Sequence, residues 1–213
     1  MVTVKKFVFN PFMENSYVLY DETKECVIVD PGCYYEEEEK MIDKFIHENG
    51  LKPVKLLHTH SHLDHVFGSG YIAEKYKLEL WIHSDDEQTL KAFHLSANMY
   101  GIPIRVNPPE KYHFFDMEKG MGFGNSHLEI RFVPGHAPGH VVFISRDSNF
   151  VINGDCLFDG SIGRTDLPGG DHATLIRCIR EQLFTLNDDC VVFCGHGDET
   201  TIGKEKRTNP FLA

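Results

Sequence analysis

The chain has 213 residues, of which 41% are hydrophobic and 25% are charged, and its formal net charge is -11. This composition is typical of a soluble globular protein with a proper core, so we predict one domain over residues 1–213. Because a phosphate backbone is bound through clustered lysines and arginines, the acidic charge argues against nucleic acid or an anionic membrane as the main partner.

Short apolar runs separated by turn residues predict three strands near the N-terminus, VKKFVF (4–9), SYVLY (16–20) and CVIVD (26–30). Because so little chain separates these runs, we expect them to pair antiparallel. A helix is predicted over residues 36–48, where Glu36–Glu39 supply a solvated, acidic first turn ahead of an apolar stripe.

Strands and helices alternate along the rest of the chain, which predicts helices layered over sheet. Residues 101–127 are rich in proline and glycine and predict no element. The remaining predicted elements, in chain order, are the strand VKLLHT (54–59), a helix over 69–77, the strand LELWIH (78–83), a helix from a Ser84 cap to about Tyr100, the strands LEIRFV (128–133), HVVFIS (140–145) and NFVIN (149–153), a helix over 172–186 and the strand CVVFC (190–194).

The cysteines and the N-terminus favour a cytoplasmic protein. MVTVKKFVFNPF has no apolar run of signal-peptide length, and nothing downstream approaches the roughly 18 apolar residues of a membrane span. The cysteines are scattered without a dense framework, so we predict buried, reduced thiols for Cys26, Cys33, Cys156, Cys178, Cys190 and Cys194.

Residues 58–68 read HTHSHLDHVFG, a density of histidine that an ordinary surface loop does not need. Imidazole nitrogens and carboxylate oxygens are the usual protein ligands of zinc and related divalent metals. Such residues lie just beyond the ends of apolar strands, where loops present side chains from a rigid scaffold. Four strands thus deliver candidate ligands to one edge: His60, His62, Asp64 and His65 after VKLLHT, His136 after LEIRFVPG, Asp155 after FVING and His196 after VVFCG.

The spacing within the cluster allows two ions. His60 and His62 are two residues apart and can reach one ion, whereas Asp64 and His65 lie further round the turn and can serve a neighbouring one. A single histidine at a strand end is more often a hydrogen-bonded loop residue than a ligand, so the compressed HxHxDH pattern carries the prediction. His58 falls outside this register, and we predict that it packs at the strand end.

HSHLDH at 60–65, PGH at 134–136, GD at 154–155 and GHG at 195–197 together resemble the motifs of the metallo-β-lactamase superfamily, in the superfamily's order. NPFMENSYVLYD, VDPGC, PGHAPGH, GDCLFDGSIGRTDLPGG and GHGDETTIGKEKRTNPF resemble the glyoxalase II group, the hydroxyacylglutathione hydrolases and their short relatives. The resemblance implies an α+β fold, a four-layer αββα sandwich with the metals at the open edge of two sheets. It also implies ligand sets: His60, His62 and His136 on the first metal, Asp64, His65 and His196 on the second, and Asp155 bridging both.

The sequence departs from the classical glyoxalase II pattern at its C-terminus. Those enzymes continue beyond an AsnProPhe-like word into a helical segment whose basic residues bind glutathione, whereas this sequence stops at residues 209–213. The resemblance therefore predicts the metal centre and leaves recognition of glutathione open.

The leading hypothesis is a thioester hydrolase of glyoxalase II type, in which a hydroxide bridging two divalent ions attacks a hydroxyacyl thioester and no protein nucleophile is required. Zinc is the expected metal, with iron and manganese as alternatives on the same ligands. Asp64 is the candidate catalytic residue, because it is expected both to bind the second ion and to orient the water. The expected partner is a small-molecule thioester, and the chain is expected to be a monomer or a small homo-oligomer.

Two other functions compete with thioester hydrolysis. The persulfide dioxygenases are similar in their GlyArgThrAsp word, and in them a single iron uses the counterparts of His60, His136 and Asp155, although GHGDETTIG around His196 favours a hydrolase. A metal-binding protein without catalysis is disfavoured, because every position of the two-metal pattern is filled.

Three further residue groups are interpreted as structural. His140 begins a strand and is expected to hold a ligand or the loop. The glycine-rich loop 160–170 lacks the arrangement of a phosphate cradle, and we predict a tight loop stitched by Arg164 and Asp166. Cys156 is expected to point away from Asp155, as alternate residues of an extended segment do.

Overall fold

Two six-stranded sheets form the centre of the protein, whose computed structural model describes residues 1–212. In the first sheet the strands lie side by side in chain order: β1 (Thr3–Phe9), β2 (Glu14–Tyr20), β3 (Glu25–Val29), β4 (Lys52–Leu57), β5 (Leu80–Ile82) and β6 (Tyr112–Phe114). The first three strands pair antiparallel, which confirms the prediction, and the strands from β3 to β6 pair parallel.

The second sheet is built from the C-terminal half of the chain. Across the sheet the order is β14 (Thr200–Thr201), β13 (Val191–Cys194), β10 (Phe150–Gly154), β9 (Val141–Ser145), β8 (Ser126–Phe132) and β7 (Met121–Phe123). β10 and β13 run parallel, while the other neighbours run antiparallel. A separate hairpin joins β11 (Leu157–Phe158) to β12 (Ser161–Ile162).

The helices are short apart from the first, and most lie between strands. The predicted helix over 36–48 is confirmed with its four-glutamate first turn, and Glu38 accepts hydrogen bonds from the N–H groups of Tyr34 and Tyr35 ahead of it. The helices are α1 (Glu36–Glu48), α2 (Leu63–Val66), α3 (Ser69–Tyr76), α4 (Glu87–Lys91), α5 (Phe93–Tyr100), α6 (His172–Cys178) and α7 (Ile202–Thr208).

Alternating side chains along the strands divide the interior into three apolar layers. In β3, Val27 and Val29 pack between the two sheets, whereas Ile28 packs on the opposite face with α1 and α3. In β9, Phe143 joins the layer between the sheets, and Val142 packs beneath α6. The result is the predicted four-layer αββα sandwich of an α+β protein.

Several predicted boundaries are wrong. The helix expected from Ser84 to Tyr100 is broken at Ala92, whose φ and ψ of -80° and 2° end α4 and start α5. Its first turn is a 3-10 turn capped by His83, whose ring accepts the Asp85 N–H at 3.2 Å, instead of by Ser84. The helix expected over 172–186 ends as a π turn at 179–183. Residues 101–127 contain β6 and β7, which at three residues each are too short to show a pattern.

All six cysteines are free and buried, as predicted. Burial raises the pKa of Cys26 and of Cys194 to about 12, so these thiols stay protonated at neutral pH. No helix within residues 1–212 is long and apolar enough to cross a membrane.

Candidate metal centre

The seven predicted ligands meet at one edge of the sandwich, beyond the ends of the strands that lead to them. β3 and β4 run parallel in the first sheet and β10 and β13 run parallel in the second, so each pair delivers the residues that follow it to one edge. The turn between β8 and β9 reaches the same place. The side chains brought together there are buried or half-buried: His60, His62, Asp64, His65, His136, Asp155 and His196.

Three imidazoles form the first group, His60, His62 and His136, whose ligand atoms lie within 4.8 Å of one another. His62 Nδ1 is 2.8 Å from His136 Nε2, which is 3.2 Å from His60 Nε2. Burial lowers the pKa of all three rings, for His62 to about 3. The first group is therefore a set of neutral nitrogen donors.

Hydrogen bonds on the outer side of two of these rings fix which nitrogen faces inward. His136 Nδ1 donates to the carbonyl oxygen of Arg164 at 2.8 Å. The Thr59 hydroxyl donates to Asp30 at 2.5 Å, so it accepts from His60 Nδ1 at 3.1 Å. His60 and His136 thus present unprotonated Nε2 atoms to each other, which is the arrangement that a metal ion requires.

The second group consists of Asp64, His65 and His196. Asp64 Oδ2 is 3.1 Å from His196 Nε2 and 3.8 Å from His65 Nε2. The outer nitrogens are again held by the protein, since His65 Nδ1 lies 3.2 Å from Asp30 Oδ2 and His196 Nδ1 donates to the carbonyl oxygen of Phe12 at 3.1 Å. Both rings therefore direct Nε2 toward the same space as the Asp64 carboxylate.

Asp155 lies between the two groups. Its Oδ2 is 3.5 Å from His136 Nε2 in the first group and 3.6 Å from His196 Nε2 in the second, and its Oδ1 is 3.4 Å from His65 Nε2. A Cβ atom added to Gly195 would lie 2.0 Å from Asp155 Oδ1, so only glycine fits beside this carboxylate in the GHG word.

The second group is electrostatically unlike the first. Burial disfavours a charge on His65 and on His196, but the carboxylates of Asp64 and Asp155 outweigh it and raise the pKa of both rings. Burial likewise opposes ionisation of Asp64 and Asp155, yet the neighbouring imidazoles hold the pKa of each carboxyl below its usual range. The second group thus pairs imidazoles with carboxylates, whereas the first group is made of neutral imidazoles.

The donor set fits a pair of divalent metal ions. Across the part of the chain that the structure describes, His65 Nε2 and Asp155 Oδ1 are buried without a hydrogen-bond partner, a costly condition that a cation between them would relieve. Three converging imidazole nitrogens in the first group call for a cation for the same reason. Nitrogen and carboxylate ligands suit zinc, iron and manganese alike.

Asp30 is a functional residue that the sequence prediction missed. It lies within reach of His60 and His65, but its oxygens accept hydrogen bonds from Thr59 N and Thr59 Oγ1 and lie beside His65 Nδ1, so it orients ligands. Its φ of 47° is unusual for a residue other than glycine, a strain that commonly marks functional sites. The signal was present, because Asp30 ends the apolar strand CVIVD just as Asp155 follows FVING.

His58 and His140 lie beside the centre without joining either group. His58 is fully buried and its Nε2 is 2.6 Å from Ser69 Oγ, so it packs at the end of β4 as predicted. His140 Nε2 accepts the backbone N–H of Asp155 at 3.0 Å, and its Nδ1 is 3.2 Å from Cys156 Sγ. His140 thereby holds the backbone of Asp155, which agrees with the predicted structural role.

The glycine-rich loop between β12 and α6 supports the first group from behind. Arg164 and Asp166 form the predicted contact within the loop, a bidentate salt bridge with both N···O distances at 2.7 Å. The carbonyl of the same Arg164 accepts from His136 Nδ1, so the shape of the loop and the direction of one imidazole are linked.

An αββα sandwich with a histidine- and aspartate-rich edge of this kind defines a metal-dependent hydrolase. The chain belongs to the metallo-β-lactamase superfamily, whose family model matches residues 9–196. It is 39% identical over 204 residues to hydroxyacylglutathione hydrolase GloC of Haemophilus influenzae, covering 94% of this chain and 93% of that protein. It is 36% identical over 210 residues to the probable metallo-hydrolase YqgX of Bacillus subtilis, covering 98% and 96%.

Solved structures show the same fold. The BLEG-1 B3 metallo-beta-lactamase superposes with a TM-score of 0.90 at 33% identity, covering 99% of this chain and all of that one. TTHA1623 in a di-iron-bound form superposes with a TM-score of 0.85 at 35% identity, covering 98% and 100%. ETHE1 from Myxococcus xanthus superposes with a TM-score of 0.77 at 22% identity, covering 98% and 83%, which is a likeness of fold alone.

Proposed function

We propose that the chain is a binuclear thioester hydrolase of glyoxalase II type that acts on a hydroxyacyl thioester. The observation that carries the proposal is the position of Asp155, whose oxygens lie 3.4 to 3.6 Å from imidazole nitrogens of both groups. A carboxylate in that position would be able to serve two ions, one held by His60, His62 and His136 and the other by Asp64, His65 and His196. The name of the Haemophilus influenzae relative supports the glyoxalase II class.

Two divalent ions held in this way would supply a water of lowered pKa and a Lewis acid for the acyl carbonyl. The chain's own residues define the side from which substrate arrives. The side chain of His65 is fully buried, whereas those of Asp64 and His196 are 16% and 29% exposed. We propose that substrate arrives on this side of the centre, where Asp64 would hold the orientation of a water.

The protein residues near the centre are unsuited to act as nucleophiles themselves. Ser61 lies within the histidine cluster but is only 2% exposed, and Cys156 is fully buried. Burial raises the pKa of the Cys156 thiol well above its usual value, so it carries no thiolate at neutral pH. This supports hydrolysis by activated water in place of a covalent acyl-enzyme.

For the metal we propose zinc, with iron and manganese as alternatives on the same nitrogen and oxygen ligands; a similar structure is a di-iron form. The proposed partner is a small-molecule thioester and not nucleic acid, in keeping with the net charge of -11. We propose a monomer or small homo-oligomer in the cytoplasm, where six reduced thiols are stable.

A persulfide dioxygenase is the second candidate, favoured by one observation. His60, His136 and Asp155 form a compact set of two imidazoles and one carboxylate, with His136 Nε2 at 3.2 Å from His60 Nε2 and 3.5 Å from Asp155 Oδ2. Such a triad suits a single iron and oxygen chemistry. The hydrolase is preferred because the second group is equally well formed and would have no purpose in a mononuclear centre.

An activity screen on the metal-loaded protein separates the two candidates. S-lactoylglutathione, a simpler hydroxyacyl thioester and glutathione persulfide are each supplied to protein loaded with zinc, iron or manganese, and thiol release and oxygen uptake are followed. We expect thiol release from a thioester with two ions per chain and without oxygen uptake. Oxygen uptake on the persulfide with one iron per chain would replace the hydrolase by the oxygenase.

A further inference from the structure

Glu14, the first residue of β2, is a fully buried carboxyl group directly behind the second group. Its Oε1 is 3.9 Å from His65 Nδ1, and its Oε2 accepts a hydrogen bond from Ser16 Oγ at 2.8 Å. The backbone of Glu14 forms an isolated antiparallel bridge with His196, and the next N–H, of Asn15, donates to the Gly195 carbonyl at 2.7 Å. Glu14 therefore lies beside the imidazole of His65 and beside the backbone of His196.

The same carboxyl is packed against the segment that carries Asp64. A Cβ atom added to Gly32 would lie 2.1 Å from Glu14 Oε2 and 2.5 Å from the backbone oxygen of Asp64, so the three groups meet with no space between them. Asn10 Nδ2 closes this contact, donating to the carbonyls of Gly32 and Asp64 at 3.0 Å each. Glu14 thus lies beside the His65 imidazole and beside the backbones of Asp64 and His196.

One oxygen of this carboxyl has no hydrogen-bond partner. Among residues 1–212, Glu14 Oε1 is buried without a hydrogen-bond partner, a condition that costs folding free energy. The first group has different support, since His60 and His136 are backed by a hydroxyl and a carbonyl. The Glu14 carboxyl thus lies behind the second group and not behind the first.

We propose that Glu14 is a positioning residue for the second metal ion: without touching metal or substrate, its carboxyl holds the His65 imidazole and the segment of Asp64 in place and strengthens cation binding by this group alone. The inference rests on the two-metal part of the proposed function and is independent of the substrate. It separates the two ions, because the first group has no contact of this kind with Glu14.

Cobalt(II) titration of the metal-free protein tests this role. Its visible absorption and the heat of binding resolve successive binding steps, and the absorption reports the ligands of each ion. For Glu14→Gln, which keeps the size of the side chain, we expect an unchanged first step and a second step weakened by roughly ten-fold, the lower end of the range for groups that surround metal ligands. Equal weakening of both steps, or none, would overturn the proposal.

Two more variants keep the test decisive. Asp43→Asn is the matched control, because Asp43 is a partly buried carboxylate that accepts hydrogen bonds from the hydroxyls of Tyr71 and Tyr76. Its loss should lower stability and leave both cobalt steps unchanged. Ser16→Ala removes the donor to Glu14 and should weaken the second step in the same direction by less. If Glu14→Gln does not fold, an unchanged second step in Ser16→Ala refutes the proposal.

The outcome is separable from that of the activity screen. If the protein hydrolyses no thioester but binds cobalt in two steps, and the second step depends on Glu14, then the proposed substrate is wrong and the proposed role of Glu14 stands. A wild-type protein with a single cobalt step loses the two-metal centre, and the role of Glu14 with it.

Discussion

The two groups of the metal centre differ in their donor atoms and in the pKa values of their imidazoles. The first group is three neutral imidazoles whose pKa values are lowered by burial. The second group surrounds two imidazoles of raised pKa with Asp64 and Asp155, and Asp30 lies behind one of them. The first group is thus a set of neutral nitrogen donors, whereas the second pairs imidazoles with carboxylates.

The single HxHxDH motif supplies residues to two unlike groups. HxHxDH contributes His60 and His62 to the neutral group and Asp64 and His65 to the charged one. The turn into α2 separates them, because that helix begins at Leu63, immediately after His62. Asp155 lies between the two groups, with one oxygen near His65 and the other near His136.

Loss of a first-group imidazole should have the largest effect. In His136→Ala the first ion loses a ligand, and we expect kcat to fall by at least about a thousand-fold, since metal chemistry supplies several kcal/mol of the catalysis. Steady-state rates and elemental analysis on the same sample measure this. A variant with two ions and kcat within ten-fold of the wild type would show that the first group is not essential.

Removal of the metal ions should have the next largest effect, which is a loss of thermal stability. Each site stabilises the fold by about 4 kcal/mol when free metal exceeds Kd by about a thousand-fold. At about 2–4 °C per kcal/mol for a protein of this size, the metal-free form should melt roughly 10 °C lower for each ion lost. Differential scanning calorimetry with and without a chelator checks this, and identical melting temperatures would mean that the groups are stable without metal.

Asp64→Asn should reduce turnover more than folding. The amide keeps the size of the side chain but removes its negative charge beside the second ion and the water, so we expect kcat to fall by about a hundred-fold, within the range for a lost electrostatic contact. The unfolding midpoint of the metal-loaded variant should stay close to that of the wild type. Full activity at full metal content would remove Asp64 from the mechanism.

Asp30→Asn should have a smaller effect on both groups together. Asp30 contacts His65 directly and reaches His60 through Thr59, so its loss should weaken both binding steps by roughly ten-fold or more. Cobalt titration measures the two steps. The contrast with Glu14→Gln, which should affect the second step only, sharpens the distinction between the groups; a first step unchanged in Asp30→Asn would contradict the route through Thr59.

The sequence predicts that the seven side chains converge, because each follows an apolar strand and the ends of strands can be recognised from the local pattern. It predicts α1 for the same reason, since its acidic first turn and apolar stripe are contiguous. Asp30 was missed although it too ends an apolar strand, whereas Glu14 begins a strand and lies near His65, 51 residues further along the chain, so no local pattern marks it. The break at Ala92 escaped as well, since nothing local opposes a continuous helix there.

The most direct test of the two-group account is a crystal structure of the metal-loaded protein with data collected at the absorption edge of the bound metal. We predict two anomalous peaks, one among His60, His62 and His136 and the other among Asp64, His65 and His196, with Asp155 touching both. A single peak on His60, His136 and Asp155, with His65 and His196 free of metal, would contradict the account and favour a mononuclear centre.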